Sequence, residues 1–210
     1  PDGPWDIRIS SSNDIIVAKG LDKANGLAIE LVTYGTAGGQ YAGIAKREVV
    51  FGVLPAYQVV KMRAEGVPLA IFATFVGMED TQIITRNPEI KSITDLKGRT
   101  LAATVGFSAY QYLQIYAKKY GLELNKDIQI VNATTALAQA QLEAGRVDAA
   151  LLWEPSSTRT LKQIPDARVI FSGADGWKRV TGNRGWDIIL YVHLDWVKET
   201  RRPHRFLDRL

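Results

Sequence analysis

Apolar runs alternate along this chain with segments whose apolar residues recur at three- and four-residue spacing. "DIRIS" (Asp6–Ser10), "LAIELVTY" (Leu27–Tyr34), "VVFGVL" (Val49–Leu54) and "PLAIFATFV" (Pro68–Val76) are rich in β-branched and aromatic residues and are predicted as strands. Helices are predicted from about Asn13, over Ala37–Arg47, and from Pro55 onward. Farther along, "RTLAATV" (Arg99–Val105) reads as a strand, and Phe107–Tyr120 as a helix closed by Gly121. Regular alternation of this kind points to an α/β fold with mixed, mostly parallel sheets.

The layout then repeats. Val32–Leu54 and Val131–Trp153 each run strand, threonine-containing turn, helix of small residues, basic residue, strand. "VPLAIF" (Val67–Phe72) is echoed by "DARVIF" (Asp166–Phe171). Val32 to Val131 and Phe72 to Phe171 are the same step of 99 residues (32 to 131, 72 to 171). A constant step over several elements predicts two Rossmann-like lobes. Their expected limits are 1–82 with 188–210, and 83–187. Between the repeats, Asn87-Pro88 breaks a strand, and Thr94-Asp95-Leu96 forms a turn closed by Gly98. No low-complexity linker intervenes, so crossover strands are expected to join the lobes and to act as a hinge.

Composition narrows the chemistry. Hydrophobic residues make up 46% of the 210 and charged residues 23%, an ordinary globular balance. No apolar run approaches the ~18 residues of a membrane span. Cysteine is absent, which removes disulfides, thiolate metal sites and cysteine nucleophiles. The two histidines, His193 and His204, are far apart in sequence and no carboxylates cluster, so no metal or other cofactor is expected. The net charge of +4 is modest. Lysines and arginines are scattered except in Lys198–Arg205, which is not the basic stripe of a nucleic-acid surface.

"IKSITDLKGR" (Ile90–Arg99), the helix start Gly106-Phe107-Ser108, "LEAGRVDA" (Leu142–Ala149) and Trp153-Glu154-Pro155 occur in the order found in one protein family. The set resembles substrate-binding proteins of ABC importers, in the branch that handles sulfonates, taurine, nitrate and thiamine-pyrimidine precursors. The resemblance runs from about Ile7 to Leu207. It departs at Arg47-Glu48-Val49-Val50-Phe51-Gly52, where the family has Gly-Glu-Val-Asp-Phe-Gly, and in a shorter first helical region, "NDIIVAKGLDKANG". The resemblance implies the type II periplasmic binding protein fold. It also implies a small-molecule ligand taken into an interlobe cleft, a permease of the inner membrane as partner, and no catalysis. A monomer in the periplasm, or lipid-anchored outside the cytoplasm, is expected; the chain begins at Pro1, as one whose leader has been removed would. The ligand expected is a small organic or inorganic anion of the sulfonate, taurine or nitrate class; the alternatives are a pyrimidine, thiamine precursor or other small aromatic ligand, or a role as the ligand-sensing domain of a regulator. Relatives that synthesise pyrimidines consume an internal histidine and carry a cysteine-rich segment, which this sequence lacks.

In open parallel sheets, ligands bind beyond the carboxyl ends of the strands. Those ends supply the candidate contacts: Ser11, Asn13, Thr36, Gly38, Gly39, Pro55, Ala56, Phe107, Ser108, Trp153 and Glu154. Each group precedes a helix start, where unpaired N–H groups and the helix dipole favour an anion. None of these loops carries Arg or Lys, which favours a monoanion or a neutral ring over a dianion. At the end of "GRVDAALLWEPSS" (Gly145–Ser157), Trp153 is expected as an apolar wall, Glu154 near a helix N-cap and Pro155 in the first turn. "GTAGG" (Gly35–Gly39) lacks the Gly-Lys-Ser/Thr ending of a nucleotide-binding P-loop. "VGFSAY" (Val105–Tyr110) approaches a nucleophile elbow, with Asp187 and His193 in hydrolase order. However, those two lie in one apparent strand, about 20 Å apart.

Overall fold

The structure, a computed structural model, describes residues 5–10, 14–78, 81–183 and 185–199. The chain runs β1 (Trp5–Ser10), α1 (Asp14–Ala18), α2 (Leu21–Ala24), β2 (Leu27–Val32), α3 (Ala37–Ala45), β3 (Phe51–Pro55), α4 (Ala56–Ala64) and β4 (Leu69–Gly77). It continues through β5 (Thr81–Thr85), β6 (Thr100–Ala103), α5 (Ser108–Lys119), α6 (Leu124–Asp127), β7 (Gln129–Asn132), α7 (Thr135–Glu143), β8 (Ala149–Trp153), α8 (Ser156–Gln163), β9 (Arg168–Ser172) and α9 (Gly173–Thr181). It ends in β10 (Trp186–His193) and α10 (Leu194–Glu199). Two units result, 1–75 with 188–210 and 76–187. The first passage between them falls inside β4 and not after residue 82, because β5 is wholly paired within the second unit. The expected single first helix is broken in two at Gly20, whose φ of 66° is left-handed.

Each unit is built on a five-stranded sheet, in the order β2-β1-β3-β10-β4 for the first and β7-β6-β8-β5-β9 for the second. In the first, β1 runs parallel to β2 and β3, and β10 runs antiparallel to β3. In the second, β6 runs parallel to β7 and β8, and β5 runs antiparallel to β8 and β9. The two orders match strand for strand. In both, the reversed strand is an interior one, and it is the strand that has just arrived from the other unit. The match extends to spacing: α3 and α7, and β3 and β8, are 98 positions apart (37 to 135, 51 to 149).

The continuous apolar run of β8 has a direct cause. Ala149 and Leu151 enter one core cluster, with Ile83, Leu101 and Tyr116, while Ala150 and Leu152 enter a second, with Ile84, Ala102 and Leu142. A strand covered on both faces has no polar side to show. Within the first unit Ile189 and Tyr191 fill one cluster, and Ile7, Ile9 and Val192 the other.

The family motif "TDLKG" proves to be a structural clasp. Asp95 accepts from the amides of Lys91 and Ser92, both at 2.9 Å, and from the Ser92 hydroxyl at 3.0 Å. These bonds, the Lys91 amide foremost, hold its carboxyl below the usual range. Leu96 is fully buried, and the Gly98 amide, at φ 75°, donates to the Asp127 carbonyl at 2.7 Å.

The repeated helices end by one device with different residues. After α7, Gly145 is left-handed at φ 66°, with Gly145 N donating to Leu142 O (3.1 Å) and Arg146 N to Gln141 O (2.9 Å). After α3, Arg47 takes the same place at φ 62°, with Arg47 N donating to Ile44 O (3.0 Å) and Glu48 N to Gly43 O (2.9 Å). These are the paired bonds of a Schellman ending. The basic residues Arg47 and Arg146, matched in the sequence, are therefore offset by one. Arg47 also makes a two-pronged ion pair with Glu199 of α10, at 3.0 and 2.7 Å. Three residues past each left-handed site the units differ again. Asp148 accepts from the Thr100 amide (2.8 Å) and hydroxyl (2.7 Å), tying β6 to β8, whereas its counterpart Val50 is buried in the first unit's core.

His193 closes β10, an interior strand and not an edge, and directly precedes α10. It is 2% exposed, its Nδ1 has no hydrogen-bond partner, and Asp195 Oδ2 lies 3.9 Å away. Burial, followed by the nearby Arg47 charge, lowers its pKa against the opposing pull of Asp195 and Glu199.

Gly145→Ala forces a Cβ into the left-handed region and is expected to cost about 1 kcal/mol. Arg47→Gly relieves that same strain and loses only an exposed pair, so its urea midpoint should equal or exceed wild type. In acid, the unfolded chain protonates its histidine at about pH 6.5 while the folded protein resists. The stability conferred by neutral His193 is therefore full above about pH 6.5 and declines below it. Urea midpoints measured from pH 7 to 5 should fall more for wild type than for His193→Gln.

Candidate functional site

In the second unit, β7, β6 and β8 lie side by side and run in the same direction, so the loops after them emerge at one edge of that sheet. The first two loops are stapled. The Thr104 hydroxyl donates to Ala133 O (2.7 Å), Val105 N donates to Asn132 Oδ1 (3.2 Å), and Gln111 Nε2 donates to Val105 O (3.2 Å). This cross-bonding fixes the start of α5 relative to the start of α7.

The helices that start here are satisfied differently. Thr134 caps α7 by accepting from Leu137 N at 3.3 Å. Elsewhere Thr36 and Ser172 do the same for α3 and α9. At α5 the N-cap is Phe107, which has no side-chain acceptor, so no side chain caps the amides of Ser108 and Ala109. Ser, Thr, Asp and Asn are the usual N-caps because their oxygen satisfies one of these donors. Phe107 instead lies half exposed, at 50%, with its ring 5.4 Å from that of Trp153 at the end of β8, tilted by 52°. The helix is held by its other face, where Tyr110, Leu113, Tyr116 and Ala117 are buried. An open helix start next to exposed aromatic surface can accept an anionic group joined to an apolar body.

Glu154 has a different task. Its Oε2 accepts from Thr158 N at 3.2 Å and its Oε1 from the Thr158 hydroxyl at 2.9 Å. The abrupt end of the β8 run is thus explained: Trp153 reaches the strand-end edge, Glu154 ties down the first turn of α8, and Pro155 is the N-cap. The structure brings Phe107 and Trp153 into contact, sets Ser108 next to Phe107, and turns Glu154 onto its own helix.

In the first unit, Thr36 is the N-cap of α3 and accepts from Gly39 N at 3.1 Å, so that amide is already engaged. Gly38, on the same exposed first turn, has open space where a Cβ would stand. Pro55 ends β3 and is the N-cap of α4, with Ala56 as the first helical residue and no side-chain cap. Ser11 and Asn13 lie outside the described residues.

The hydrolase arrangement is not assembled. Ser108 opens α5 in the second unit, while Asp187 and His193 are both buried in β10, six residues apart along one strand. Among the described residues no group of three or more His, Cys, Asp or Glu could hold a metal ion. A surface depression of about 440 Å³ lined by Gly98 and Asn125 to Ile130 belongs to the opposite edge, where β6 and β7 begin.

Sequence reasoning missed Leu137. It lies in the first turn of α7 and is 50% exposed, on the strand-end next to that of Phe107. The available signal was the pairing of Thr134 with a large apolar residue at the third helical position, where the cap is polar and the side chain is free. It also missed the staple residues Thr104 and Asn132, which are ordinary polar residues in sequence and gain meaning only from the β6–β7 pairing.

Comparison with known proteins agrees with this architecture. An aliphatic sulfonates-binding protein of Escherichia coli (strain K12) is 33% identical over 107 residues, which is 48% of this chain and 33% of that protein. The matched segment thus spans a third of that curated relative's length. The crystal structure of the periplasmic aliphatic sulphonate binding protein SsuA from Escherichia coli superposes with a TM-score of 0.74 at 23% identity, covering 94% of this chain and 68% of that one. The alkanesulfonate-binding protein SsuA from Xanthomonas axonopodis pv. citri, bound to MOPS, gives 0.67 at 20% identity, over 95% and 69%. At 20–23% identity these likenesses are of fold. The family described as NMT1/THI5 like matches residues 15–173, about three-quarters of the sequence, and the chain belongs to that family.

Proposed function

We propose that this chain is the substrate-binding component of an ABC importer and takes up a small organic anion of the sulfonate class. The open start of α5 beside the half-exposed Phe107–Trp153 pair carries the reading, since it offers backbone N–H donors and apolar surface at one place. The sulfonate-binding relatives support the class of ligand. In this reading the anionic group accepts from the amides of Ser108 and Ala109. Thr36, Gly38, Pro55 and Ala56 supply the first unit's contacts. Gly39 contributes shape, since its amide is engaged by Thr36. Binding is non-covalent and the chain is not an enzyme. The periplasm is the proposed location and a membrane permease the proposed partner. Among the described residues no helix is long and apolar enough to cross a membrane.

Ser108→Pro isolates the central contact. Proline is well accommodated at the first helical position, and Phe107, at φ −98° and ψ 158°, already has the extended backbone that a following proline requires. The substitution therefore deletes one N–H donor, together with the Ser108 hydroxyl, and leaves the helix intact. A hydrogen bond to a charged group is worth about 1.5–3 kcal/mol. Calorimetric titration with ethanesulfonate should show affinity at least tenfold weaker in Ser108→Pro, with an unchanged melting temperature. Equal affinity in the two proteins would remove the α5 amides from the site.

A further inference from the structure

We infer that the second unit's strand-end edge selects sulfonates that carry an aryl body, with Phe107 as the specificity-determining residue and Leu137 and Trp153 flanking it. The inference rests on the functional reading above and adds the chemistry of the ligand's uncharged part.

At the N-cap of α5 a Ser, Thr, Asp or Asn would satisfy an open amide, as Thr134 and Ser172 do for α7 and α9 of the same unit. Phe107 forgoes that bond and leaves half of a large apolar side chain in water. Part of the ring packs against Trp153, but half of it stays in water although Ala109, Tyr110, Tyr112 and Leu113 already bury the inward face of the helix. The exposed ring is also not isolated. Strand order puts Leu137, Phe107 and Trp153 on three successive strand-ends, those of β7, β6 and β8. Leu137 and Phe107 are each 50% exposed, and Trp153 is partly buried against the core, backing the Phe107 ring at 5.4 Å. The result is an apolar strip with one ring anchored and the next presented.

The strip is continuous with the open α5 amides, because Phe107 immediately precedes Ser108. A ligand whose anionic group meets those amides has the exposed half of Phe107 as an adjoining apolar surface for its body. A methyl group covers little of this surface. A planar ring covers much of it and adds the edge-to-face or offset contact that aromatic pairs favour. The stapled Thr104–Ala133 and Val105–Asn132 bonds fix the loop leading to Phe107 against the loop leading to Leu137.

The test compares benzenesulfonate with methanesulfonate on the same preparations of wild type, Phe107→Ala, Phe107→Leu and Leu137→Ala. The readout is the ratio of the two affinities, which is insensitive to any inactive fraction. Wild type should bind benzenesulfonate at least tenfold more tightly. The ratio should fall to threefold or less in Phe107→Ala and to an intermediate value in Phe107→Leu and Leu137→Ala. A wild-type ratio near one, or a ratio that survives Phe107→Ala, overturns the aryl inference while leaving sulfonate binding intact. If neither compound binds wild type at all, the underlying functional reading fails and the inference fails with it.

Discussion

The architecture depends on where the reversed strands lie. The chain passes between the units within β4 and again within β10, and the reversed strand on the far side of each passage, β5 in the second unit and β10 itself in the first, is inserted between two strands of its sheet. An interior strand cannot fray as a loop does, because leaving the sheet would strand its N–H and C=O groups. With β5 in place, β6, β7 and β8 run in the same direction beside it, and their loops emerge together. The same order in the first unit gives β1, β2 and β3 a common edge. The candidate ligand contacts of each unit are products of that arrangement.

Much of this was legible in the sequence, for identifiable reasons. β8 is a run of five residues covered on both faces, and such a run announces a buried parallel strand without any alternation. The repeat was visible because both copies follow a threonine-containing turn with a helix of small residues and a basic residue before the next strand. Its step was blurred by one because Arg47 occupies the place held by Gly145, and the eye aligns Arg47 with Arg146 instead. The first passage between units was displaced because β4 continues as an extended strand through Phe75, with no turn signal to mark the change of sheet. Gly20 broke the first helix through a left-handed backbone, which a single glycine in a helical pattern does not advertise.

The candidate site was legible as a set of strand-ends more than as a set of side-chain partners. Strand-ends preceding helices are readable from pattern, so Phe107, Ser108, Trp153 and Glu154 could all be named. Which of them faces a ligand depends on side-chain partners. Glu154 turned out to be committed to Thr158, and the Gly39 amide to Thr36. Leu137 was hidden because an exposed leucine has no signature until its strand-end is known to adjoin that of Phe107. The family motif around Asp95 carried the resemblance and yet builds a turn, with its hydrogen bonds spent on Lys91 and Ser92. A motif can thus mark a family through its folding requirements.

Amide chemical shifts followed through a sulfonate titration test the central claim most directly. The account predicts that the largest changes fall on the amides of Phe107, Ser108 and Ala109 and on the Trp153 indole N–H, with Leu137 following. Changes centred instead on Gly98 and Asn125 to Ile130, the depression at the opposite edge of the same sheet, would contradict it, as would a spectrum that does not respond to sulfonate.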